Sequence, residues 1–262
     1  MTEPIKAKIR NKKGIIIDMD GVLYHGNRLL PGVIPFVEWL KKEEKKFLFL
    51  TNSSARSPRE LTEKLSRLGI EVKEERFYTS GLATASFLQK QKPGGSAYVI
   101  GESGLINALY NVGYSMNDIN PDYVVVSETR DYNYDKIEHA INLVLRGARL
   151  VGTNPDVSGP VEKGIAPATR ALIAPIEIAT GKKAYFIGKP NPYIMRHAIK
   201  TIDCHSEESL IIGDRMDTDI IAGIESGIDT LLVLSGITRR EDIEKYSYQP
   251  TYILDGVGDI IT

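Results

Sequence analysis

Asp18 and Asp20 close the run GIIIDMDG, Thr51 and Asn52 close KFLFLTN, Lys189 follows AYFIG, and Asp214, Asp217 and Asp219 follow SLIIG. In an open parallel sheet, ligands bind beyond the carboxyl ends of the strands, so polar residues placed just after apolar runs are site candidates. If these strands lie side by side, a group of carboxylates, a small hydroxyl and one lysine share a crevice. A buried carboxylate without a counter-charge is heavily penalised, so something cationic belongs there. Hard oxygen ligands favour magnesium, which is usually held by one or two carboxylates and completes its shell with water and phosphate oxygens. Mg2+ and Lys189 together would offset the acids and leave net attraction for a phosphate.

A carboxylate pressed against phosphorus can act as a nucleophile, forming an acyl phosphate that divides one hard displacement into two easier ones. Asp18, at the very end of its strand, is the rigid choice. Asp20, two residues on, could protonate the leaving oxygen and later deprotonate the attacking water. Gly21 lets the backbone turn sharply beside the ligand. Thr51 and the Asn52 backbone could donate to the phosphoryl oxygens, while Lys189 stabilises the charge that spreads over them. Structural alternatives stand beside these roles. Asp before Gly is a common turn signal, Lys189 between Gly and Pro suits an exposed turn, and Asp214, Asp217 and Asp219 suit the first turn of a helix.

The elements that must position these residues follow a regular pattern. Short β-branched runs alternate with amphipathic stretches from end to end, which predicts an α/β fold with strands joined by helices in a mostly parallel sheet. Pro31-Gly32 opens a helix through Val37, Trp39 and Leu40, and Pro58 starts another that ends at Gly69. AYFIGKP (184 to 190), SLIIGDRMDTD (209 to 219) and DTLLVLSG (229 to 236) each read as an apolar strand, the last without charge at its end. Between the two groups, SAYVIG, PDYVVVS and ARLVGTN form a further set of strand-like runs, too long a segment to be a loop. The expected division is a discontinuous core of residues 1–80 and 184–262, with a second α/β domain inserted over 81–183.

Composition narrows the classes further. The chain has 262 residues, a formal net charge of −1 from 33 basic and 34 acidic residues, and one cysteine, Cys204. That balance offers no broad basic surface for nucleic acid, and a single cysteine forms no internal disulfide, which fits a reducing cytoplasm. The apolar run after the basic N-terminal stretch is cut by Asp18 and Asp20, so neither a signal peptide nor a membrane span is expected. The P-loop and dinucleotide fingerprints are absent, which counts against those nucleotide-binding classes.

DMDGV, LTNSS, GKP and GDRMDTD, in this order, resemble the four motifs of the haloacid dehalogenase (HAD) superfamily of phosphohydrolases. The long insertion and the phrase GTNPD (152 to 156) within it resemble the NagD-type or nitrophenylphosphatase branch, which carries a large α/β cap. The resemblance implies a Rossmann-like core with an inserted cap domain, and a Mg2+-dependent phosphatase that hydrolyses small phosphomonoesters through an aspartyl-phosphate. It implies Asp18 as nucleophile and metal ligand, Asp20 as acid/base that lends its backbone carbonyl to the metal, and Asp214 as the remaining protein ligand. Thr51, Asn52 and Lys189 match phosphate-binding positions, Asp219 matches a position that orients metal-bound water or the lysine, and Asp217 matches a variable one. Cap closure would exclude water, with Asn154 and Asp156 as candidates for a specificity loop that equally reads as a plain turn. Pairing through the cap would give a homodimer. A phosphotransferase or phosphomutase on the same fold, and a non-catalytic phosphate-binding module, are the alternatives.

Overall fold

The structure is a computed structural model that describes residues 3–161 and 163–262; positions 1, 2 and 162, which fall inside the expected ranges 1–80 and 81–183, lie outside the described residues. The chain begins with helix α1 (Glu3–Arg10) and strand β1 (Gly14–Ile17), followed by a small hairpin of β2 (Tyr24–His25) and β3 (Arg28–Leu29). Then come α2 (Val33–Lys42), β4 (Lys46–Thr51), α3 (Pro58–Arg67) and β5 (Phe77–Thr79). The middle of the chain holds α4 (Ser80–Gln91), β6 (Ser96–Ile100), α5 (Ser103–Asn111), β7 (Ser115–Met116), β8 (Tyr123–Val126), α6 (Tyr134–Leu145) and β9 (Arg149–Gly152). A hairpin of β10 (Ser158–Pro160) and β11 (Ile165–Pro167), α7 (Thr169–Thr180) and β12 (Tyr185–Phe186) complete it. The last stretch is α8 (Pro192–Ile202), β13 (Ser209–Gly213), α9 (Ile221–Glu225), β14 (Asp229–Val233) and β15 (Tyr252–Leu254).

The described residues gather into two compact units, one of residues 3–51, Leu61–Tyr78 and Lys189–Thr262, the other of Asn52–Glu60 and the described residues of 79–188. The first is built on a six-stranded sheet in the order β15-β14-β13-β1-β4-β5. β1 pairs in parallel with β13 on one side and β4 on the other, Ile15 lying level with both Leu210 and Phe47. A strand enclosed this way must be apolar on both faces, which is why three isoleucines in a row serve and alternation does not. Ile15, Ile17, Phe47, Phe49, Leu210 and Ile212 share one core cluster with Phe36, Val37 and Leu40 of α2. The opposite face, with Ile16, Leu48 and Ile211, is also buried, and α8 packs on β1 and β4. Chain order reverses at β1, so its carboxyl end lies at the topological switch point, where open α/β sheets open a crevice.

The second unit has a five-stranded parallel sheet in the order β12-β9-β8-β6-β7. Val124 and Val126 pack there with Leu143 and Val144 of α6 and Leu172, Ile173 and Ile176 of α7.

Two segments depart from the sequence reading. Tyr185–Phe186, expected to belong to the core with the following motif, instead pairs with β9 in the second sheet. The ring of Phe186 occupies the space that a Cβ on Gly152 would need, so the glycine seats this edge strand. Residues 52–60 also belong to the second unit, because their polar backbone finds partners there: Ser54 N donates to Glu128 Oε1 at 2.8 Å, and Ala55 O accepts from Gly104 N at 3.2 Å. Ile16 tests the doubly covered strand. Ile16→Ala is expected to cost about 3 kcal/mol, read as a lower urea midpoint of unfolding.

Candidate active site

β1 delivers Asp18 with its backbone still on the ladder, Asp18 N donating to Ile212 O at 2.8 Å. Lys189 is 2% exposed and Asp219 only 1%. The ammonium donates to Asp18 Oδ1 at 2.5 Å, Asp219 Oδ1 at 2.6 Å and Leu50 O at 3.1 Å. A buried ammonium needs acceptors in place of water, and these three supply them. Asp18, Asp214 and Asp219 each present an oxygen within 4.8 Å of the others. Asp214 is buried as well.

These charges do not balance, since three carboxylates face one ammonium. Burial alone would lower Lys189, but Asp18 and Asp219 outweigh it and hold the ammonium above the ordinary lysine range. Burial raises Asp18 well above the usual aspartate value, with Asp219 and Asp214 adding to the shift and Lys189 opposing it. Asp214 is pushed up to about 7, first by burial and then by Asp219, while the Ile237 N–H pulls the other way. A crowded, dry acid cluster of this kind gains by accepting a divalent cation.

Local backbone sets these positions. Asp219 sits in a π-helical turn, Met216–Ile220, and its Oδ2 accepts from Arg215 N at 3.2 Å. Such turns displace a side chain from the α-helical progression and recur at functional sites. Asp214 Oδ2 accepts from Ile237 N at 2.7 Å. Glycine is required on three sides of these acids. A Cβ on Gly213 would overlap Asp219, and one on Gly21 or Gly236 would overlap Asp214. Gly21 also has φ +80°, a turn that other residues enter at a cost.

The remaining expected residues are placed as follows. Asp20 is exposed and forms a backbone bridge to Tyr24, and Thr51 is buried at the end of β4. Asp217 turns away to Arg215, whose Nε and Nη2 reach its two oxygens at 3.0 and 2.9 Å. Asn52, Asn154 and Asp156 take part in hydrogen bonds within the second unit. Asn52 Nδ2 donates to Asp156 Oδ2 at 3.1 Å, and Asn154 Nδ2 donates to Asn52 O at 2.8 Å and Glu128 Oε2 at 3.1 Å. Asn154 is buried, and its amide is engaged with Asn52 O and with Glu128. Glu128, which sequence reasoning passed over, also accepts from Ser54 N and from Thr169 Oγ1 at 3.1 Å. Its position directly beyond the apolar β8 run was the available signal. Gly213, Gly236 and Ile237 were missed because they contribute only space or backbone.

A parallel α/β sheet with acids and a lysine at its switch point defines a hydrolase-like class of site. The comparisons agree: the family described as haloacid dehalogenase-like hydrolase matches residues 15–115, and the HAD-hydrolase-like family matches 186–260. The chain is 46% identical over 245 residues to dihydroxyacetone phosphatase of Corynebacterium glutamicum (strain R), covering 94% of this chain and 89% of the relative. It is 42% identical over 248 residues to the ribonucleotide monophosphatase NagD of Escherichia coli (strain K12), covering 95% and 98%. The solved structure of NagD from Escherichia coli K-12 superposes with a TM-score of 0.88, at 41% identity over 95% of this chain and 98% of that one. A 4-nitrophenylphosphatase from Thermotoga maritima gives 0.91 at 31% identity over 97% of each chain. The chain belongs to the HAD-like hydrolases, in the NagD-like branch.

The raised Asp214 has a consequence for stability. The unfolded chain releases this proton near 3.8 and the folded chain near 7, so the unfolded state binds fewer protons in between and stability falls as pH rises through that window. In chelator, wild type is expected to lose thermal stability relative to Asp214→Asn between about pH 4 and 7. Paired melting curves that stay parallel would refute this.

Proposed function

We propose that this protein is a Mg2+-dependent phosphatase of small phosphomonoesters that works through an aspartyl-phosphate on Asp18. The observation that carries the reading is the Lys189 ammonium locked between Asp18 and Asp219 beside Asp214, with more negative charge than the lysine offsets. HAD-like hydrolases generally use Mg2+, and the donors here fit it: hard carboxylate oxygens, close together, with Asp18 and Asp214 raised by burial and by the neighbouring acids. Asp18, Asp214 and the backbone carbonyl of Asp20 would hold the ion, which when bound supplies charge neutralisation for the phosphoryl oxygens.

The protein's own groups supply the rest. Lys189 occupies Asp18 Oδ1, so nucleophilic attack falls to Oδ2. As the Asp18–phosphorus bond forms, the bond from phosphorus to the ester oxygen breaks, and that oxygen takes a proton from the Asp20 carboxyl. Asp20, now a carboxylate, takes a proton from water, whose oxygen attacks phosphorus and releases Asp18 and inorganic phosphate. Asp20 is suited to this by its exposure, because a proton shuttle must exchange with both leaving group and water. Thr51 and the Asn52 backbone are assigned to the phosphoryl oxygens, Lys189 to offsetting their charge from its place against Asp18, and Asp219 to orienting Lys189.

The relatives named for dihydroxyacetone phosphate and ribonucleotide monophosphates suggest the same scale of substrate here, a phosphate on a small sugar-like or nucleoside alcohol. We assign the second unit the part of a cap domain that selects among them, and retain homodimer formation through it and a cytoplasmic location as parts of this proposal. No described helix is long and apolar enough to cross a membrane. Nitrophenyl phosphate is expected to be hydrolysed with Mg2+ and not with chelator. Asp18→Asn should abolish turnover, and Asp20→Asn should lower kcat by about 10²–10⁴. Wild-type rates in Asp18→Asn would remove the nucleophile assignment.

A further inference from the structure

The run DTLLVLSG has the shape of a site strand but brings no charged residue to its end. Its loop nonetheless reaches both carboxylate-bearing loops. β14 is separated from β1 by β13 in the sheet, so the loop must pass over the end of β13 to meet the segment after β1. It does so at Ser235, whose Oγ donates to Gly21 O at 2.7 Å. His25, on the hairpin that follows Gly21, meets Ser235 O through Nε2 at 2.7 Å. A carbonyl only accepts, so Nε2 carries the proton and His25 donates.

The next three residues hold the other loop. Gly236 leaves the space that Asp214 fills, Ile237 N donates to Asp214 Oδ2 at 2.7 Å, and Thr238 N donates to Asp214 O at 3.1 Å. Thr238 Oγ1 then accepts from Met216 N at 3.3 Å. Residues 235–238 thus form a strap with one end on the Asp18–Gly21 loop and the other on Asp214. Asp214 and Gly21 are close enough that a methyl group on Gly21 would overlap the carboxylate, so a small slip of the strap changes the spacing of the acids directly.

We propose that His25 and Ser235 are positioning residues that fix the separation of the Asp18–Gly21 loop from Asp214 and so preorganise the divalent-metal site. They act through Gly21 and Asp214. The inference rests on the phosphatase reading only for the purpose of the site; the strap itself is independent of it. Outer groups that orient metal ligands typically change affinity 10- to 100-fold when removed.

The test uses Mn2+ as the probe, with its Kd measured by electron paramagnetic resonance on the chelator-stripped full chain without substrate, alongside melting curves. Ser235→Ala and His25→Ala are each expected to raise the Kd by about tenfold. Ser235→Thr keeps a hydroxyl and His25→Gln keeps an N–H at the matching position, so both should return to within about threefold of wild type. If Ser235→Ala does not fold, Ser235→Cys, with similar volume and a weak donor, replaces it in the comparison. Alanine variants that melt earlier yet bind Mn2+ as wild type does would reduce the strap to packing and overturn the proposal, as would rescue variants no better than alanine. A wild-type chain that binds Mn2+ but releases no phosphate from nitrophenyl phosphate would sink the phosphatase reading and leave the strap in place.

Discussion

The buried ammonium of Lys189 is the constraint on which the first unit depends. It donates to Asp18 after β1, Leu50 O on β4 and Asp219 in the turn after β13, so a single charge ties together the ends of three adjacent strands. The dependence is mutual. Without the carboxylates, burial would pull the lysine downward unopposed, and without the lysine two buried acids would face each other. Asp214 joins them, and burial with the nearby Asp219 outweighs the pull of Arg215 and Lys189 on its carboxyl.

Crowding the acids this closely is a steric problem before it is an electrostatic one. Gly21, Gly213 and Gly236 remove the side chains that would stand in the way, and the π-helical turn brings Asp219 back over Gly213. Backbone N–H groups of Arg215 and Ile237 then take up carboxylate oxygens that the lysine does not reach. The site is thus made as much by absent side chains and peptide dipoles as by charged residues.

The second unit shows the opposite use of a carboxylate. Glu128, two residues beyond β8, is surrounded by the donors Ser54 N, Asn154 Nδ2 and Thr169 Oγ1. Thr169 opens α7, where the helix N-terminus also favours negative charge. Asn154 passes this order on to the Asn52 carbonyl, immediately after Thr51 in the chain. An acid satisfied by neutral donors is a fixed structural post, whereas the acids of the first unit are held against a buried lysine.

The sequence by itself determined the class of fold and the identity of the central charges. Apolar runs of four to six residues alternating with helical stretches can hardly form anything but a parallel sheet covered on both faces, and acids directly after those runs must lie at its carboxyl edge. Asp18, Lys189, Asp214 and Asp219 were legible for that reason. Tertiary structure alone decided which neighbours complete them. AYFIG was apolar enough for either sheet, and the choice fell to the bare surface of Gly152 under Phe186. Asn154 reads in the sequence equally as a specificity-loop or a turn residue, and only the fold shows that Glu128 and Asn52, 26 and 102 residues away, engage its amide. Ser235, Ile237 and the glycines carry no chemical signature in a linear string, because what they contribute is a direction of an N–H or an empty volume, and both exist only once distant strands stand side by side.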